Sequence, residues 1–166
     1  MSEKFRRYFL KTKEIKTLSD EVAKLGIDLE KFLKEKAKVE VIEFNETKVY
    51  LLNGKPLLAN VSEKLFPTLL FMEYLEKAPK VVVDMGAVPH VCNGADVMAP
   101  GIKQFMGDFR NGDLVLVVDE KHGKPLAVGE ALLDKEVAAA TRHGKIIRNV
   151  HFVGDKVWNA IKRAGS

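Results

Sequence analysis

The chemistry-bearing residues of this chain gather between Val81 and Ile102, in the run Asp84-Met85-Gly86-Ala87-Val88-Pro89-His90-Val91-Cys92-Asn93-Gly94-Ala95-Asp96-Val97-Met98-Ala99-Pro100-Gly101. Gly86 and Gly94 stand eight residues apart, room for two helical turns, and Gly94 suits the position after a helix end that takes positive φ. Pro100-Gly101 suits the centre of a type II turn. A loop of this kind brings backbone amides close to a phosphate or a base edge, because no Cβ stands in the way. Taken alone, two glycines in a turn-rich segment read first as structural turns.

Other reactive groups are sparse. His90, His122, His143 and His151 lie apart without the paired spacings of a zinc site, and no Asp or Glu forms a recognisable acid–base couple beside them. Neither GxGxxG nor a GxxxxGK[ST] phosphate loop is present, so dinucleotide cofactors and nucleotide hydrolysis lack a motif. No metal, cofactor or enzymatic activity is expected. The single cysteine, Cys92, excludes an internal disulfide, and its apolar neighbours suit a buried, inert thiol. His90 reads equally as a ligand contact from the short helix and as a surface polar residue.

Positive charge is concentrated near the ends. The net charge is +4, but Thr141 to Ser166 carries Arg142, Lys145, Arg148, Lys156, Lys162 and Arg163 against Asp155 alone. The first sixteen residues carry Lys4, Arg6, Arg7, Lys11, Lys13 and Lys16 against Glu3 and Glu14. Such patches attract phosphate, although a solvated face gives the same composition.

The elements that must position these groups follow from periodicity. Phe5 to Thr12 suits an opening strand, and Ile15, Leu18, Val22 and Leu25 recur at helical intervals up to Gly26, with Thr17 and Asp20 in capping-box-like spacing. Asp28 would cap a short helix through Leu33. Val39–Phe44 and Lys48–Leu52 flank Asn45-Glu46-Thr47 as a hairpin, with a third strand at Pro56–Val61. Leu65 to Glu76 is expected to be an apolar helix with Pro67 in its first turn, packed between two halves of the chain. The domain boundary is placed near Ala78 to Lys80, giving domains 1–78 and 79–166.

In the second half, Leu114–Asp119 and Leu126–Leu133 form a hairpin around Lys121-His122-Gly123-Lys124. Gly129 suggests a bulge or a close backbone approach. Asp134 would cap an alanine-rich helix terminated by Gly144, Val150–Val153 is the last strand, and Asp155 would cap a final helix carrying Val157, Trp158 and Ile161 on one face. Trp158 reads as a core anchor rather than a stacking platform. With 166 residues, 46% apolar and 30% charged, the chain is an ordinary globular α+β protein. No apolar run is long enough to cross a bilayer and no leader is evident, so a cytoplasmic protein is expected.

Five ordered segments together resemble the PUA domain, named for pseudouridine synthases and archaeosine transglycosylases, over roughly Lys80 to Val157. They are Val83-Asp84-x-Gly86-Ala87, Gly94-Ala95-Asp96-Val97-Met98, Pro100-Gly101-Ile102, Gly112-Asp113-x-Val115 and Ala127-Val128-Gly129-Glu130-Ala131. The closing Asn149-Val150-His151-Phe152-Val153-Gly154-Asp155-x-x-Trp158, with a preceding domain of this size, is similar to the malignant T-cell-amplified sequence protein family, its archaeal relatives and the N-terminal part of ligatin.

The resemblance implies an N-terminal α/β pre-PUA domain followed by a small PUA-type β-barrel with short helices. It implies an RNA-binding face including Gly86, Ala87, His90, Gly94, Ala95, Asp96 and Gly101, with backbone amides around Gly94 and Ala95 meeting RNA directly. Asp96 is left with two roles, capping the loop or accepting from a base amino group. Lys80, Lys103, Lys145 and Arg148 are candidates for phosphate contacts from charge and position alone.

The family further implies structured RNA, tRNA or rRNA, and the small ribosomal subunit as partners, in initiation, reinitiation or recycling, some members acting with density-regulated protein. Two other readings stay open. In one, the chain is an RNA-guiding subunit of a pseudouridine- or archaeosine-type modification enzyme. In the other, the apolar stretch Leu65–Leu75 is a protein-binding surface and the glycine loop is merely structural.

Overall fold

The computed structural model describes residues 5–33 and 38–164. Lys4, Glu3 and Ser166, counted above in the charged ends, lie outside the described residues. The chain divides into two compact units, one of residues up to Phe71 together with those from Asn159 on, the other from Met72 to Trp158.

The first unit is a five-stranded antiparallel sheet in the order β1-β2-β3-β4-β5. Its strands are β1 (Arg6–Phe9), β2 (Val39–Phe44), β3 (Thr47–Leu52), β4 (Lys55–Val61) and β5 (Lys64–Pro67), with α1 (Thr12–Ala23) and a short 3-10 helix (Leu29–Lys31) between β1 and β2. Helix α1 starts earlier than Thr17 and Asp20 suggested. The carboxylate of Glu14 accepts from the Lys11 backbone N–H at 2.9 Å, while Thr17 lies mid-helix and donates its hydroxyl to the Lys13 carbonyl at 3.2 Å. Leu18 and Val22 are the buried residues of α1, and Ile27 and Leu29 are buried just beyond it.

The expected helix over Leu65–Glu76 is corrected. Lys64–Pro67 pairs with β4 in the register Leu58↔Pro67 and Ala59↔Phe66, leaving only a single turn, α2 (Met72–Leu75), as helix. Ser62 and Glu63 both take positive φ, 49° and 69°, and reverse the chain between the two strands. Pro67 is tolerated because β5 is an edge strand, where a missing N–H costs no ladder bond. Phe66, Leu69, Phe71 and Leu75 are buried while Leu70 and Met72 are exposed, so the stretch is part core and part surface, and Phe71→Asp would unfold the unit rather than probe a surface.

The second unit holds β6 (Lys80–Val83), α3 (Val88–Val91), β7 (Val97–Met98), β8 (Ile102–Met106), β9 (Leu114–Asp119), β10 (Pro125–Ala131), α4 (Lys135–Ala140) and β11 (Lys145–Phe152). Helix α5 (Lys156–Ala164) follows, and the division between the units falls within it. The sheet order is β7-β11-β10-β9-β6-β8, with β6 and β9 parallel and the other pairs antiparallel. This is the α+β architecture expected, its second unit a curled, incompletely closed barrel with edges at β7 and β8. The core behind it is built from Val81, Val83, Val115, Val117, Leu126, Ala127, Ile146 and Ile147.

Gly129 is both bulge and close approach. The β10–β11 register shifts between Val128 and Gly129, and a Cβ there would strike Ile147 Cγ2 and lie 3.1 Å from the Arg148 carbonyl. Asp155 caps α5 as expected, its carboxylate accepting from Trp158 N–H at 2.8 Å and from Phe152 N–H at 3.0 Å. Trp158 is half-buried, whereas Val157, Ala160 and Ile161 form the buried face of α5. Asp134 precedes α4 without a side-chain cap to it; its carboxylate accepts from Asn111 N–H instead.

Candidate functional site

Strand β6 ends at Val83 and delivers Asp84 to the opening of the loop. Asp84 N–H donates to the Gly101 carbonyl at 2.9 Å, and its carboxylate accepts from Ala87 N–H at 2.8 Å, which starts the turn into α3. Pro89 sits in the first turn of α3, where its fixed φ fits and its missing N–H is not needed. The helix is one turn rather than two. It closes with Gly94 N–H on the Val91 carbonyl at 3.0 Å and Ala95 N–H on the His90 carbonyl at 2.9 Å.

Gly94 has φ +92°, and a side chain would sit 3.1 Å from the Phe152 ring, so both conformation and space demand glycine. Pro100-Gly101 is corrected: Ala99–Gly101 form a 3-10 turn, and Gly101 does not take positive φ. Glycine is favoured there because a Cβ would stand 3.1 Å from the Ala87 Cβ. The loop amides are likewise reassigned. Those of Gly94 and Ala95 are consumed in closing α3, so this loop does not offer them to a ligand.

Strand β11 holds the loop from below. Asn149 N–H donates to the Asp96 carboxylate at 2.9 Å, and the Asn149 side-chain amide donates to the Val91 carbonyl at 3.0 Å and the Ala95 carbonyl at 3.1 Å. Lys145, also on β11, places Nζ 3.2 Å from the other Asp96 oxygen. Asp96 therefore caps the loop, and its carboxylate is oriented by one amide and one ammonium group.

The outcome is an open groove of about 780 Å³ with mostly apolar walls. Gly86, Ala87, His90, Gly94, Ala95, Asp96, Gly101 and Lys145 all line it. The structure brings these residues together from a loop and a strand roughly fifty positions downstream. It does not bring Lys80, Lys103 or Arg148 to the groove. Lys80 Nζ donates to the Glu76 carbonyl at 2.9 Å and the Ala78 carbonyl at 3.3 Å. Arg148 pairs with Glu130 across the β10–β11 ladder at 2.8 Å, and Lys103 is exposed on β8.

Sequence reasoning left out groove residues Asp84, Val91, Val97, Met98 and Pro100, all within the motif already singled out, and Asn149, which orders the loop from outside it. Among the described residues no group of three or more His, Cys, Asp or Glu is placed to hold a metal ion. Cys92 is half-buried and packs against the core of the second unit. Among the described residues no helix is long and apolar enough to cross a membrane. With a mostly apolar wall, two carboxylates and one ammonium group at fixed positions, the groove is suited to holding a ligand that is apolar on its faces and polar at its edge.

Residues 79–153 match the PUA domain, and residues 6–75 match a domain of unknown function, DUF1947. An uncharacterized protein of Methanocaldococcus jannaschii is 37% identical over 155 residues, covering 93% of this chain and 96% of that one. Translation machinery-associated protein 20 of Saccharomyces cerevisiae is 28% identical over 139 residues, covering 79% and 77%. Among solved structures, a hypothetical protein of Pyrococcus horikoshii OT3 is similar with a TM-score of 0.76 and 37% identity, over 94% of this chain and 99% of that one. The chain belongs to the family in which a DUF1947 domain precedes a PUA domain, with malignant T-cell-amplified sequence 1 among its homologues.

Proposed function

We propose that this protein is an RNA-binding translation factor that seats the unpaired acceptor end of transfer RNA in the groove below α3 while engaged with the small ribosomal subunit. The observation that carries the reading is the groove itself. Its wall of small and apolar residues admits the flat faces of splayed bases, which single-stranded RNA ends present and duplexes do not. Asp84 and Asp96 are acceptors suited to the exocyclic amino groups of cytosine or adenine. Lys145 is the cation of the groove and supplies a phosphate contact. A role in translation is supported by the homologue named for association with the translation machinery, and initiation, reinitiation or recycling is the stage this reading assigns to it. In this reading the protein positions RNA and carries out no bond-making step.

The test is binding of the full chain to labelled transfer RNA with and without its terminal CCA, and to small ribosomal subunits, at two salt concentrations. A gain in affinity that depends on CCA, together with subunit binding, is expected. Lys145→Glu should weaken the CCA-dependent complex about tenfold and reduce the slope of log affinity against log salt by about one. Equal, weak binding to every RNA offered would sink the proposal.

A further inference from the structure

The first unit carries a surface that the groove does not account for. Side chains along a strand alternate between faces, so Phe5, Arg7 and Phe9 point to one side of β1 and Arg6 and Tyr8 to the other. Phe5 and Phe9 are 43% and 58% exposed, large values for phenylalanine. Each ring has a cation within about 6 Å of its centroid: Arg163 Cζ lies 5.1 Å from Phe5, and Lys38 Nζ lies 5.7 Å from Phe9.

Between the two rings, Arg7 forms a bidentate pair with Glu40 on β2, at 3.0 and 2.9 Å. Phe5 is pinned from beneath by the Phe44 ring at 5.0 Å. The face is thus a row of ring, guanidinium and ring, about 13 Å from end to end by strand geometry, with a cation at each end.

We propose that this Phe5–Arg7–Phe9 face, flanked by Arg163 and Lys38, is a second RNA-binding surface that stacks unpaired bases of a single-stranded segment. Its chemistry separates it from the groove. A base stacks on the exposed part of each ring as Arg163 and Lys38, which lie over the rings, turn from them to the backbone phosphates, which gives sequence-tolerant, salt-dependent binding. A protein partner is less well matched, because the Arg7 guanidinium stands between the two rings and breaks the apolar surface among the described residues. The proposal goes beyond the groove reading and does not depend on what the groove holds.

The experiment uses the full chain and a fluorescent oligouridine, with duplex RNA of the same length as competitor. Phe9→Ala is expected to weaken oligouridine binding roughly tenfold, the usual loss for one stacking ring, and Phe9→Trp to retain it with quenching of the new indole fluorescence by RNA. Phe9 is exposed enough for both substitutions to leave the fold intact. Phe5→Ala removes a ring packed on Phe44, so Arg163→Glu serves as the second probe of that end and should weaken binding and lower its salt dependence. Unchanged affinity in Phe9→Ala and Arg163→Glu overturns the proposal. Oligouridine binding that survives both and is lost in Lys145→Glu also overturns it, while leaving the groove reading standing. Loss of CCA-dependent binding in Lys145→Glu, with oligouridine binding lost only in the β1 variants, supports both.

Discussion

The two units solve chain reversal in opposite ways. In the first, strand order in space follows strand order in the chain, and residues with side chains take left-handed conformations at the turns: Asn45, Asn53, Ser62 and Glu63. In the second, the order β7-β11-β10-β9-β6-β8 sets distant segments side by side, and the positive-φ positions are all glycines. A meander of local hairpins tolerates imperfect turns because each ladder is fixed by its neighbours in sequence. A sheet built by long-range pairing requires exact fit where strands meet, and that is where the groove lies, between Asp84, Gly101 and Lys145.

The sharpest way to break this comparison is at Gly129. Valine there would drive its side chain into Ile147 and crowd the Arg148 backbone, neither of which is the free end of a flexible chain. Gly129→Val should destabilise the second unit by about 3 kcal/mol, read as a lower denaturant midpoint. Tolerance of valine would show that the β10–β11 register is not fixed as described.

A smaller effect is expected at Asn149. Leucine removes the donor to the Val91 and Ala95 carbonyls and strands both acceptors, a cost of about 2 kcal/mol. Its more specific signature is faster hydrogen exchange over residues 90–96, with a loss of RNA affinity greater than in a variant equally destabilised elsewhere. Equal losses would reduce Asn149 to an ordinary structural residue.

Acid should act on the second unit through Asp119, at the mouth of the β9–β10 hairpin. Its carboxylate accepts from His122 N–H at 2.5 Å and Lys124 N–H at 3.2 Å, and these backbone bonds, the His122 one first, hold its pKa below the usual carboxylate range. The folded pKa is depressed, so the contribution to stability is complete above the unfolded value and fades as pH falls below about 4. In the first unit Glu40 is lowered too, by its bond from Arg7, but that pair is solvent-screened and worth little. Asp119→Asn should therefore flatten the acid limb of the stability curve more than Glu40→Gln. The reverse order would contradict the assignment.

The same contrast governs what the sequence discloses. The β2–β3 and β9–β10 hairpins are legible because alternation and turn residues are local signals, and Gly94 is legible because a helix end needs its conformation. Ser62-Glu63 is not, since neither residue advertises positive φ, and without that turn the apolar run after it reads as a helix. Asn149 is illegible because its partners lie 53 to 58 residues away. Charge alone points to Lys80, Lys103 and Arg148, and it does not disclose that Glu130 faces Arg148 across a ladder or that Lys80 turns back onto the turn after α2.

The Ser62-Glu63 turn also provides the finest test of the comparison. Both residues occupy the left-handed region, the pattern of a type I′ hairpin turn, which favours Asn-Gly; the Asn53-Gly54 turn of the same sheet has that sequence. Glu63 lacks the short side chain that eases this conformation, so it carries a strain of about 1 kcal/mol that glycine removes. Against that gain, glycine makes the unfolded chain more flexible and returns part of the benefit. Ser62 must remain, because its hydroxyl donates to the Glu46 carboxylate at 2.7 Å and ties this turn to the one between β2 and β3. Glu63→Gly is expected to stabilise the first unit by about 0.5 kcal/mol, visible as a small rise in denaturant midpoint without a change in slope. A loss of stability would mean that the turn holds its shape through the glutamate side chain rather than despite it.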